Sequence, residues 1–451
     1  MNGGLMPKLG MKLSFVIVFL CLLFSLGASH GFKLDIKETK LENGLIILTL
    51  EDHSAPVVSY QVWFRVGSRN ERPGITGISH LFEHMMFKGS KNIGPEEHAK
   101  LVQANGGTLN AWTSNDNTTY FENLPADKLE LAIRLEAERE GNLNITPENL
   151  ASEREVVKEE RRLRTDNSPE GALNEQLYAT AFEAHPYHWP VVGWMSDLDA
   201  ITLEDCQSYF KTHYAPNNAT VVIVGDFKTD EAVNLVKKYY GGMPAQPPGP
   251  PVKTVEPEQL GERIVYVHKI AQVPSFFVGY HTPDINHPDI VPLKVLSQIL
   301  FSGQSSRMFR KLIYDKQMAL SISGGVDEQI DPGLFYIEAS VKPGFTVEQV
   351  EKEIYDELEK IQTEPVSDQE LQKAKNKLEA NFYYGLQSVS SKASRIGYSQ
   401  TIAGDYHKFF NQGEKIQAVS KEDLMRVAKQ YLGDRNRTVA ILVPEKAESN
   451  P

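Results

Sequence analysis

The stretch "GGMPAQPPGPPVKTVEPE", residues 241 to 258, carries so many prolines and glycines that neither a helix nor a sheet can run through it. It divides the chain, and its two sides resemble each other. "ITLEDCQSYFKTHYAPNNATVVIVGD" from Ile201 aligns without a gap to "VSKEDLMRVAKQYLGDRNRTVAILVP" from Val419. The alignment pairs Glu204 with Glu422, Asp205 with Asp423, Lys211 with Lys429, Asn218 with Asn436 and Thr220 with Thr438. Each copy reads helix, turn, apolar strand, and each closes its half of the chain. A repeat of this kind predicts an α+β fold of two homologous, duplicated α/β-sandwich domains, each an antiparallel-rich sheet with helices, joined by the Pro/Gly-rich linker. The expected layout is a signal segment at 1–30, a first domain at 31–242, the linker at 243–258, a second domain at 259–446 and a tail at 447–451.

Local patterns in the first half agree with strands followed by helices. "LDIKETKLENGLIILTLED" from Leu34 gives two alternating runs around Asn43-Gly44, a hairpin signal, and "VVSYQVWFRVGS" continues as a strand. "EEHAKLVQANGG" reads as a helix ending at a glycine pair, and "TLNAWTSNDNTTYFENLP" as two further strands. From Lys128 to Arg164 the pattern is helical.

With 451 residues, 41% apolar and 24% charged, the chain has the balance of a globular protein, and its size suits two to four domains. Its net charge of -12 excludes a general nucleic-acid binder, which needs a basic surface to displace counterions. At the N-terminus Lys8 and Lys12 precede the apolar run Leu13 to Leu26, and the small residues of "GASHG" follow. This is the pattern of a secretory signal, and it predicts export to the periplasm with no stable membrane span after cleavage. Met11 offers an alternative start, and an uncleaved anchor is the alternative fate of the run. Cleavage between Gly27 and Gly31 removes Cys21 and leaves Cys206 alone, so the exported chain has no internal disulfide.

"GISHLFEHMMFKGS", residues 77 to 90, places His80, Glu83 and His84 inside an apolar run. On a helix His80 and His84 project from one face, and Glu83 lies beside the second histidine. Two imidazoles so spaced can bind one zinc ion while the carboxylate reaches the ion's open side. His-x-x-Glu-His is the inverse of the commoner zincin order and is itself a metallopeptidase pattern. Surface histidines on an amphipathic helix are the alternative. A catalytic zinc takes a third protein ligand, which must come from elsewhere. In "SEREVVKEERRLR" Glu153 and Glu160 stand seven residues apart and share a helix face, with Glu159 turned about 100° away. By itself such a run is a solvated face.

The motif, followed 76 residues after His84 by the last glutamate of "EREVVKEE", resembles the M16 (pitrilysin) family of zinc peptidases. The likeness extends through "GGTLNAWTSNDNTTY", "HPYHWPVVGW", "HYAPNNATVVIVGD" and "GQSSRMFRKL", and the length resembles the short bacterial branch. It implies that His80, His84 and Glu160 bind one Zn2+ per chain in the first domain, that Glu83 is the general base, and that Glu153 orients a ligand. It also implies that Leu109, Asn110, Ala111 and Trp112 form a strand edge to which an extended peptide substrate adds. Trp112 fits either that role or an ordinary sheet-surface aromatic.

Active members usually complete the site with an arginine and a tyrosine seven residues apart in the second domain. Here "KLIYDKQMALSI" puts Ile313 and Leu320 in those places, and the neighbouring Tyr314 and Arg310 are out of register. The departure implies a zinc-bearing subunit of a heterodimer whose M16-like partner supplies the pair. A self-sufficient homodimer and a noncatalytic peptide-binding scaffold or chaperone are the alternatives.

Overall fold

Eleven strands form two sheets in the computed structural model, which describes residues 33–446. The expected signal segment and the tail from residue 447 lie outside the described residues. Among the described residues no helix is long and apolar enough to cross a membrane. From Asp35 onward the described chain is one compact unit.

The first sheet comprises β1 (Lys37–Lys40), β2 (Ile46–Glu51), β3 (Val57–Phe64), β4 (Thr108–Thr113), β5 (Thr118–Pro125) and β6 (Ala219–Gly225) in the spatial order β1-β2-β6-β3-β5-β4. The second comprises β7 (Arg263–Ile270), β8 (Ser275–His281), β9 (Ala319–Val326), β10 (Leu334–Val341) and β11 (Arg437–Glu445) in the order β7-β11-β8-β10-β9. Dropping β1 makes the two orders equivalent. In each sheet one pair is parallel, β2 with β6 and β7 with β11, and the others are antiparallel. The Asn43-Gly44 hairpin forms, with Gly44 at φ 91°.

The aligned residues do the same work in both copies. The helices Leu203–His213 and Lys421–Tyr431 start at Thr202 and Ser420, whose side chains accept the backbone N–H of Asp205 and Asp423 while those carboxylates reach back to the cap. Asn218 Nδ2 donates to the carbonyl of His213 at 2.7 Å, and Asn436 Nδ2 donates to that of Tyr431 at 2.7 Å, fixing the same turn into β6 and β11.

No helix or strand occurs between Tyr240 and Arg263, as the prolines require. That segment is nevertheless tied down: the Glu256 carboxylate accepts the backbone N–H groups of Glu183, Ala184 and His185 at 2.7 to 2.9 Å.

The halves exchange helices. Pro169–Ala181, from the first half, lays Leu173, Leu177 and Ala181 on Val267, Phe277, Ala440 and Leu442 of the second sheet. Val389–Thr401, from the second half, lies on β3 and β6 of the first. There Gln61 Nε2 donates to the Ser390 carbonyl and to Ser394 Oγ at 3.2 Å each, and Lys392 pairs with Asp52. Gly397 allows the close approach, because a Cβ at that position would stand 2.2 Å from Trp63 Nε1. Each sheet therefore borrows one covering helix from the opposite half.

Candidate metal centre

The helix Ile78–Met85 buries Ile78, Leu81, Phe82 and Met85 in the first core and turns His80, Glu83 and His84 to the other side. Its start is fixed by Gly77, at φ 89°, where the chain passes so close to the Val192 carbonyl that a Cβ would lie 2.5 Å from that oxygen. Glu71 caps the helix: its two carboxylate oxygens accept the N–H groups of Gly77 and Ser79 at 2.8 Å each.

Against it packs the helix Pro147–Arg161, begun by Thr146 with Pro147 in its first turn. Leu150, Glu153, Val157 and Arg161 form its buried face. Continuation into a π-wound turn, Arg162–Asp166, carries Arg164 back beside Glu160.

These two helices bring the expected residues together. Glu160 Oε2 lies 3.6 Å from His80 Nε2 and 3.2 Å from His84 Nε2. The donor atoms of His80, His84 and Glu160 all fall within 4.8 Å of one another. Ligands about 2.05 Å from a tetrahedral zinc stand roughly 3.3 Å apart, so the two short separations fit such an ion, and the nitrogen and oxygen donors suit it. Glu153, 3% exposed, sits behind with Oε2 3.7 Å from His84 Nδ1 and Oε1 2.9 Å from Lys88 Nζ. Arg164 Nη1 holds the second oxygen of Glu160 at 2.7 Å. Glu83 is tethered separately, accepting a 2.7 Å hydrogen bond from Thr113 Oγ1 of β4.

Electrostatics favour an unprotonated His80. Burial, helped by the neighbouring His84, pushes its pKa down to about 4. For His84 burial acts in the same direction, but Glu153 and Glu160 outweigh it and hold the pKa above the ordinary value. Burial raises Glu83 above the usual carboxylate range, with the Thr113 hydrogen bond opposing it. Glu153 is held low, its burial outweighed by His84 and Lys88.

A cavity of about 800 Å3 opens over these groups. Asn110, Ala111 and Trp112 of β4 line it, whereas the Leu109 side chain packs against the first core. β4 is the last strand of its sheet, paired with β5 alone, so its outer edge is open along the cavity. The second half contributes Asp327 and Gln329 to the wall. Ile313, Leu320, Tyr314 and Arg310 are absent from it; Tyr314 is 74% exposed, and Ile313 packs against the second core. Sequence reasoning missed Thr113, Lys88, Arg164 and Asp327. Arg164 has a legible signal, being four residues from Glu160 on a helical pattern. Asp327 has none, because only the folded chain brings it near.

His98, Glu122 and Glu136 form a second buried cluster of possible metal ligands. Arg139 already occupies both oxygens of Glu136 at 2.9 and 2.5 Å, so the cluster carries its own cation.

Known proteins resemble this chain in sequence and in fold. Residues 46–193 match the family model described as insulinase (peptidase family M16), and residues 200–378 match the M16 inactive domain. The chain is 34% identical over 432 residues to the zinc protease PqqE of Helicobacter pylori, covering 94% of this chain and 97% of that one. It is 30% identical to an uncharacterized zinc protease of Mycobacterium leprae, over 88% of this chain and 89% of the relative. The crystal structure of a protease from Helicobacter pylori superposes with a TM-score of 0.89 at 33% identity, over 92% of this chain and all of that one. A Pseudomonas fluorescens M16 inactive-domain structure shares the fold at a TM-score of 0.84 and 17% identity, over 92% of this chain and 100% of that one. Fold and sequence together define a two-domain α+β peptidase of the M16 type. The chain belongs to the M16 peptidase family.

Proposed function

We propose that this chain is an exported zinc-dependent endopeptidase subunit, acting in the periplasm on peptides or unfolded segments. The observation that carries the reading is the convergence of His80 Nε2 and His84 Nε2 on one oxygen of Glu160, with Glu83 held apart on the cavity side by Thr113. In this reading His80, His84 and Glu160 hold one zinc per chain, and Glu153 fixes the orientation of His84 through Nδ1. Zinc in such a site supplies Lewis-acid polarisation of a carbonyl and a lowered pKa for water. Glu83 accepts the proton of the attacking water on its free oxygen and returns it to the leaving amine. Its raised pKa suits both transfers. The open edge of β4 receives the extended substrate by main-chain hydrogen bonds, with Asn110, Ala111 and Trp112 facing it.

A partner chain of the same family supplies the arginine and tyrosine. Two observations support this: Ile313 and Leu320 stand in their places, and the second half lends the cavity Asp327 and Gln329 rather than a cation. A chain that works alone or as a homodimer is the second reading, supported by Arg164, a cation that lines the cavity beside Glu160. The deciding experiment measures hydrolysis of a quenched fluorescent peptide library by the purified mature chain, alone and with periplasmic extract of its source. Turnover that needs extract and depends on Glu83 supports the heterodimer. Equal Glu83-dependent turnover from the chain alone overturns it in favour of the second reading.

A further inference from the structure

The metal cleft does not end at Trp112. A second cavity of about 560 Å3 shares Trp112, Asn115 and Gln329 with it and runs between the first sheet and the borrowed Val389–Thr401 helix. A third, also about 560 Å3, shares Glu328, Arg395 and Tyr398 with the second. Through these shared walls the three lie in series, as a trench. On the strand that borders it, alternate side chains face opposite ways: Thr113 turns to Glu83, while Trp112 turns to Trp63, 5.2 Å away between ring centroids. An extended chain lying along β4 therefore sends every second side chain toward the metal and the others toward the trench.

The charge of the far end is distinctive. Its two carboxylates are already compensated, Glu328 by Lys294 at 2.8 Å and Asp423 by Arg426 at 3.5 Å. Lys408 is turned to the Asn286 side-chain oxygen and the Ala403 carbonyl, both at 2.7 Å. Arg395 and Lys415, both exposed, have no carboxylate partner among the described residues. Cations without counter-charges beside an apolar floor that includes Ile290 and Val419 suit a ligand carrying both carboxylates and apolar groups. An electronegative protein places these positive groups in a trench leading to its metal site.

We propose that this trench is a remote substrate subsite, in which Arg395 and Lys415 hold an acidic segment of the peptide whose bond is cut at the metal. The inference rests on the peptidase reading above and adds to it a substrate class: peptides with an acidic run set away from the scissile bond. All of its residues belong to one chain, so it operates with or without a partner.

The test is direct binding to the full chain carrying Glu83→Gln, read by fluorescence anisotropy at low salt. The probes are labelled twelve-residue peptides sharing a neutral core, with a Glu-Asp-Glu or a Gln-Asn-Gln run at either end. The acidic run at one of the two ends tightens binding about tenfold over its amide counterpart. That advantage disappears in Arg395→Gln/Lys415→Gln and survives in Arg395→Lys/Lys415→Arg, while the amide peptide binds all three alike. Equal affinity for acidic and amide peptides, no binding of either, or an advantage that persists in the double glutamine variant overturns the proposal. Cleavage of the amide peptide by the unsubstituted chain in the presence of the periplasmic extract reports on the peptidase reading separately, since it involves neither Arg395 nor Lys415.

Discussion

Thr113 Oγ1 donates a 2.7 Å hydrogen bond to Glu83 Oε2, joining the open edge strand of the first sheet to the helix that carries the two histidines. In the proposed function, one side chain thus couples the strand edge assigned to the peptide to the carboxylate assigned as base. The bond also works against the burial that raises the Glu83 pKa.

Thr113→Val removes the tether and leaves burial unopposed. The Glu83 pKa rises further, and because the base acts in its ionised form, the acid limb of the kcat/KM profile moves to higher pH. We expect kcat to fall about tenfold, with Thr113→Ser close to the unsubstituted protein. Steady-state kinetics across pH on a quenched peptide check both.

Glu153→Gln keeps the size of the group behind His84 and removes its charge. Zinc affinity should drop about 10- to 100-fold without loss of the fold. Competition against a chromophoric chelator measures the affinity, and an unchanged circular dichroism spectrum shows that the fold survives.

Gly397→Ala forces a methyl group to within 2.2 Å of Trp63 Nε1 unless the borrowed helix moves off the first sheet. We expect a loss of about 2–3 kcal/mol in chemical denaturation, the usual cost of overpacking a rigid contact. Ser399→Ala, on a half-buried position of the same helix, is the control and stays near zero.

Asp52 pairs with Lys392, so the borrowed helix is also held by charge, and this bond pulls the Asp52 pKa down to about 2. A depressed carboxylate pKa adds stability above the unfolded value of about 3.9 and loses it as pH falls through the folded value. Asp52→Asn should therefore cost about 1 kcal/mol at neutral pH, after solvent screening, with most of that difference gone by pH 2. Urea midpoints between pH 2 and 7 show whether the gap closes in that window.

The duplicated architecture was legible because capping and turn chemistry are local. Asp205 and Asp423, or Asn218 and Asn436, occupy matching places in the chain and make matching hydrogen bonds. The histidine pair was legible for the same reason, since four-residue spacing on a helix fixes a shared face. The exchange of helices was not. Pro169–Ala181 has an apolar face in any context, and nothing in it says which sheet that face covers. The family resemblance assigns Leu109 to the substrate edge, yet its half-buried side chain packs against the first core, and what β4 leaves open there is the unpaired backbone of its outer edge. Asp327 and Gln329 reach the cavity from more than 200 residues beyond the histidine helix and β4, a separation that no local pattern encodes.

Zinc content and peptide turnover, measured on the same preparations of the unsubstituted chain and Glu83→Gln, bear most directly on the role of this site. With the partner extract present, both proteins should hold one zinc per chain, and the substitution should slow peptide hydrolysis by at least about a hundredfold. Hydrolysis by Glu83→Gln at the unsubstituted rate, or a full-rate chain that contains no metal, would contradict the assignment of Glu83 as base beside a zinc held by His80, His84 and Glu160.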